Sequence, residues 1–92
     1  MIRSFRSREA EAIFKGRLSK RFGRIADVVE RKLVQIHAAR SLRDLALFPG
    51  NRLEPLEGDR AGQHSIRVND QYRICFVWRE GDAHDVEITD YH

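Results

Sequence analysis

The chain has 92 residues, 41% hydrophobic and 34% charged, which allows one domain with one modest core and is too apolar for a chain that stays unfolded. A single cysteine, Cys75, excludes an internal disulfide. No stretch approaches the roughly 20 apolar residues of a membrane-spanning helix, and MIRSFRSREAEAIF lacks the apolar run of a signal peptide, so a reducing cytoplasm is the expected address and no membrane partner is expected. The net charge of +3 conceals a division, because residues 1–43 carry 12 Lys and Arg against 4 Asp and Glu, whereas residues 44–92 carry 5 against 10. The basic first half fits a polyanionic or acidic partner, or else a solvated helical face.

After a short apolar start at Ile2 and Phe5, the acidic turn of Glu9 and Glu11 precedes Ala12, Ile13 and Phe14, which predicts a helix over residues 8–15 ended by Gly16. From Arg24 to Ala39, Ile25, Val28, Val29, Leu33 and Ile36 recur at the helical period. Ser41 is placed to cap a further short turn carrying Leu42, Leu45 and Leu47, and Phe48-Pro49-Gly50 then stops any helix. Downstream, Gln63–Val68, Tyr72–Arg79 and Ala83–Thr89 read as strands separated by short polar loops. Two hairpins in series make an antiparallel meander. Packing the helices on one face of it gives an α+β fold, a single domain over residues 1–92.

The strand register follows from burial, since a slip of one residue turns every side chain to the other face. A three-residue loop, Asn69 to Gln71, pairs Ile66 with Ile74 and His64 with Phe76. A matching three-residue loop, Glu80 to Asp82, pairs Phe76 with Val86 and Ile74 with Ile88. On the opposite face Arg67 then stands across from Arg73, Ser65 lies beside Cys75, and Thr89 flanks Arg73. Like charges opposed across strands cost a few tenths to about one kcal/mol. An anion held between two guanidinium forks would relieve that cost, and so would Asp85 or Glu87 on the same face. The last strand runs into Thr89-Asp90-Tyr91-His92, which brings a carboxylate, a phenol and an imidazole toward the same end of the sheet.

The run GDRAGQHSIRVNDQYRICFVWREGDAHDVEITDYH, with NRLEPLEGDR before it, resembles the HigB toxin family of type II toxin–antitoxin systems, most specifically in GDR.G..SI.V...YRI.F and the terminal DYH. The resemblance implies a RelE-like fold, with two N-terminal helices packed on one face of a small curved antiparallel sheet whose first strand comes from the N-terminal segment. It also implies cleavage of mRNA in the ribosomal A site without a metal or cofactor, the ribose 2′-hydroxyl acting as nucleophile. Carried over by position, Arg73 matches the phosphate-stabilising arginine, and Asp90, Tyr91 and His92 match the C-terminal catalytic group. Glu54 and Glu57 stand where some members have histidine and lysine. A carboxylate at Glu54 can act as a base but cannot stabilise a phosphorane.

Arg67 and Arg60 join the RNA-contacting set by position and charge, and the basic helices, with Arg17, Lys20, Arg21, Arg24, Arg31 and Lys32, suit ribosomal RNA or an acidic antitoxin surface. The implied partners are a HigA-like helix-turn-helix antitoxin, the ribosome and mRNA, with operator DNA reached only through the antitoxin. His37, His64 and His84 lack metal-ligand spacing, so no metal site is expected. Two other readings stay open: a gyrase inhibitor of the ParE type, and a toxin fold that keeps RNA or antitoxin binding with weak or no nuclease activity.

Overall fold

The computed structural model describes residues 1–90. Helix α1, Arg8–Phe14, starts where the Ser7 hydroxyl accepts a hydrogen bond from the Ala10 amide at 3.1 Å, and Gly16, at φ +78°, turns the chain out of it. Helix α2, Ala26–Ala38, buries Val29, Leu33 and Ile36 completely. Burying one such side chain contributes about 1.5–3 kcal/mol, so packing rather than intrinsic propensity holds α2 in place, and Leu33→Ala would cost about 2–5 kcal/mol. Ser41 caps α3, Leu42–Ala46, in a reciprocal pair: Asp44 N–H donates to Ser41 Oγ at 3.4 Å, and Ser41 N–H donates to Asp44 Oδ2 at 3.3 Å.

Four strands, β1 (Glu54–Pro55), β2 (Gln63–Arg67), β3 (Tyr72–Arg79) and β4 (Asp82–Asp90), form one antiparallel sheet in chain order. The first hairpin has the expected register, with Ile66 opposite Ile74, His64 opposite Phe76 and Arg67 opposite Arg73. Its loop is held by Asn69, whose side-chain oxygen accepts from the Gln71 and Tyr72 amides at 2.9 and 2.7 Å. The second hairpin corrects the expectation. Arg79 pairs with Asp82, so the loop has two residues, Glu80 and Gly81, both at positive φ as a type I′ turn requires. A bulge between Cys75 and Val77 on the β3 side, with Asp85 at φ +53° on the other, then restores the predicted pairing of Ile74 with Ile88. The physical reason is burial: Ala83 and Val86 are both fully buried, and residues three apart in a strand share a face only across a bulge.

The N-terminal segment lies along β4 rather than forming a regular strand, with parallel bridges at Ile2–Ala83 and Phe5–Val86. Asp82 anchors its start through the N-terminal amine and Arg3, and the hydrogen bond from Arg3 holds the Asp82 carboxyl below the usual carboxylate range. Between α1, α2 and the sheet lies the core, where Leu33, Ile36, Leu45, Ile66, Ile74, Phe76 and Val86 are fully buried. The other sheet face is not open to water, because the connection from α3 to β2 crosses it. Ser65, Cys75 and Arg73 are buried beneath that connection.

Candidate active site

Arg73 projects from β3 away from the helices, into the space covered by the 52–60 segment, and is 7% exposed. Its Nε donates to Ser65 Oγ at 2.7 Å, and one terminal nitrogen donates to the Arg52 carbonyl at 2.7 Å and to the Ser65 carbonyl at 3.3 Å. Arg52 presents that carbonyl from a left-handed backbone, φ +44°. Glu54, whose backbone pairs with Ser65, sets a carboxylate oxygen 3.6 Å from Arg73 Nε. The guanidinium is thus a fixed strut between β2, β3 and the 52–54 segment, which corrects the expectation of an open two-arginine clamp.

Across the strand, Arg67 forms an ion pair with Asp70 at 2.5 Å within the hairpin. Arg60 donates to Gln63 at 3.1 Å and to Glu87 at 2.6 Å, and the Glu87 hydrogen bond raises its pKa above the ordinary value. The carboxylates that answer the opposed arginines are therefore Glu54 and Asp70. Glu87 answers Arg60, and the Asp85 amide and carboxylate meet Ser4. Thr89 flanks Arg73 from β4, and its hydroxyl is buried with no hydrogen-bond partner among the described residues.

Asp90 closes β4 opposite Tyr72 and accepts from Gln71 at 3.1 Å. Residues directly opposite share a face, so Asp90 lies on the Tyr72 side of the sheet, one residue past Arg73's neighbour Thr89 but on the other face. Tyr91 and His92 lie outside the described residues. Exposed Lys20, Arg21 and Arg24, in the loop between α1 and α2, border a cleft of about 600 Å³ with Asn69, Gln71 and Tyr72, so they gather at the same end of the sheet as Asp90.

Sequence reasoning placed Lys32 among the basic helical residues, but the structure buries it. Its Nζ donates to Asn51 Oδ1 at 2.5 Å, and burial first, then Arg31 and Arg67, push its pKa down. The missed signal was phase, since Lys32 falls within the stripe of Val29, Leu33 and Ile36. Fully buried Asn51 donates in turn to Gln35 and to the Leu45 carbonyl, pinning the 49–52 segment against α2 and so fixing the carbonyl that holds Arg73. Ser65 was placed by register, but its bond to Arg73 was not foreseen. Among the described residues no group of three or more His, Cys, Asp or Glu is placed to hold a metal ion, and no helix is long and apolar enough to cross a membrane.

Helices packed on one face of a short curved antiparallel sheet place this chain in the RelE-like class of toxin folds. A YoeB–YefM complex from Staphylococcus aureus has the same fold, with TM-score 0.57 at 16% identity over 100% of this chain and 98% of that one. A YoeB/ParE toxin from Agrobacterium tumefaciens gives 0.53 at 17% identity over 99% and 100%. Over residues 4–92 the chain matches the family described as RelE-like toxin of type II toxin-antitoxin system HigB, and it belongs to that family. It is 35% identical to Endoribonuclease HigB of Proteus vulgaris over the full length of both. It is also 49% identical to Toxin HigB-1 of Vibrio cholerae serotype O1 over 59 residues, which are 64% of this chain, and the match spans 62% of the length of that relative.

Proposed function

We propose that this chain is a ribosome-dependent endoribonuclease that cuts mRNA in the A site, arrests translation and growth in the cytoplasm, and is held inactive by a HigA-like antitoxin. The reaction is metal-independent transesterification. A base takes the proton of the ribose 2′-hydroxyl, the oxygen attacks phosphorus, the bond to the 5′ oxygen breaks, and an acid protonates that oxygen to leave a cyclic phosphate. Arg73 stabilises the anionic phosphorane, Glu54 takes the proton, Tyr91 and His92 supply the remaining proton transfers and base contacts, and Asp90, on the other face of the sheet, orients the strand end rather than meeting the phosphate. Arg67, Arg60, Lys20, Arg21 and Arg24 neutralise flanking phosphates.

The observation that carries this reading is the fixation of Arg73 beside Glu54 at 3.6 Å, across from Thr89 near the end of β4. The match to a relative named as an endoribonuclease supports it. Primer extension on mRNA from a translating extract tests it: purified protein should create new 5′ ends inside coding regions, and His92→Ala and Arg73→Ala should each abolish them. No new ends with the wild type would overturn the reading. Because Glu54 and Asp70 already meet both arginines inside the molecule, a toxin fold that binds without cutting is the second reading. Unchanged growth on induction, with the antitoxin still bound, would favour it.

A further inference from the structure

The exposed side of α2 carries an apolar groove of about 580 Å³, closed at one end by α3 and Phe48 and lined by Val34 and Ala38. Val34 is 53% exposed and Phe48 is 47% exposed, although Val29, Leu33 and Ile36 on the other side of the same helix already satisfy its packing against the core. Val34 and Phe48 are therefore not needed for that packing, and their apolar surface is left to water. The rim of the groove is the reverse of its surroundings. Beside the Lys- and Arg-rich helical half, the groove is edged by Asp27 and Glu30 of α2 and Asp44 of α3 against Arg31 alone.

That combination selects its occupant. The acidic rim repels a nucleic-acid backbone. A two-fold contact between copies of this chain would set the patch against itself, with carboxylates outnumbering guanidinium on both sides. An amphipathic segment with a bulky apolar side and Lys or Arg on its flanks satisfies both the groove and the rim, and α2, about 20 Å long at 1.5 Å per residue, offers it a helix-length track.

We propose that the α2–α3 groove is the docking site of the antitoxin, which enters it with the apolar side of a basic amphipathic helix; this rests on the toxin–antitoxin reading above. Gln35, which lines the groove, accepts a hydrogen bond from Asn51, next in the chain to the residue whose carbonyl holds Arg73. Groove and candidate active site thus adjoin without sharing a lining residue, and an antitoxin seated here leaves the Arg73 face uncovered.

The test is titration of the isotope-labelled full chain with its purified antitoxin, followed by amide chemical shifts and by binding affinity. The largest shifts are expected over residues 27–38 and 44–48. Val34→Arg should weaken binding about tenfold or more, as loss of a central contact does, and Glu30→Lys should weaken it with a reduced dependence on salt. Both positions are exposed, so the spectra of the free variants should match the wild type, and RNA cleavage by the free variants should be unchanged. Shifts confined to the Arg73 face, or affinities of both variants within a factor of about two of the wild type, would overturn the proposal. A dimer of the free chain that Val34→Arg dissolves would overturn it in favour of a second copy. If the wild type cuts no RNA, the nuclease reading falls while the map of the antitoxin contact still decides this one.

Discussion

Replacing Ser65 by alanine removes the hydroxyl that accepts from Arg73 Nε at 2.7 Å, at a position where Ser65 is fully buried and Arg73 is 7% exposed. A hydrogen bond to a charged group is worth about 1.5–3 kcal/mol, and no water can reach the gap to replace it at full strength. For a domain of this size about 4–8 °C of melting temperature accompanies each kcal/mol, so Ser65→Ala should melt about 6–24 °C below the wild type. The companion variant Arg73→Met removes the donor itself and leaves the Ser65 hydroxyl and the Ser65 and Arg52 carbonyls without it, so it should melt at least as far below the wild type and also lose about 100-fold or more in RNA cleavage, whereas Ser65→Ala keeps the guanidinium and should keep part of the cleavage. Calorimetry or circular dichroism melts, paired with the cleavage assay, separate the two. A Ser65→Ala protein within about 0.5 kcal/mol of the wild type would show that the strut carries no stability and refute the reasoning.

Three further outcomes follow from the same structure. Lys32 has a folded pKa below its unfolded value, so between the two the unfolded chain binds more protons and stability rises with pH; in Lys32→Met that rise, across the alkaline range up to about pH 10, should disappear from urea melts. Glu80 sits at φ +52° in the two-residue turn, and Glu80→Asn should raise stability by about 0.5–1 kcal/mol, read from the thermal midpoint. On the proposed chemistry, Glu54→Gln takes a carboxylate from 3.6 Å beside Arg73, so RNA should bind more tightly while turnover falls about 100-fold or more; an unchanged kcat would remove Glu54 as the base.

The helical half was legible because α2 repeats its apolar residues at one period, and the first hairpin was legible because only one loop length puts Ile66, Ile74, His64 and Phe76 on a common face. The second hairpin was not. Pairing Phe76 with Val86 and Ile74 with Ile88 suggested a longer loop, and the decisive fact, that Ala83 belongs in the core, is invisible for a small residue tolerated anywhere. The opposed arginines were legible from register, but their partners were not. Glu54 and the Arg52 carbonyl arrive from a segment with almost no regular structure, whose path depends on the buried Lys32–Asn51 contact and on left-handed backbone at Arg52. Side chains that act across such a loop leave no periodic signal.

The way Arg73 is held bears on why a buried arginine is kept where an apolar residue would pack as well. A free arginine side chain loses about 1.5–2 kcal/mol of rotamer entropy when it is fixed on a ligand. Here Ser65 and the Arg52 carbonyl fix it during folding, so an arriving phosphate meets an oriented charge and does not bear that cost. The Glu54 carboxylate opposes binding of the same phosphate by its charge, and on the proposed reading it stands beside the guanidinium as the proton acceptor. On the proposed reading the pair trades ground-state affinity for reactivity, and the interactions that matter for turnover strengthen only when negative charge develops on the phosphorus.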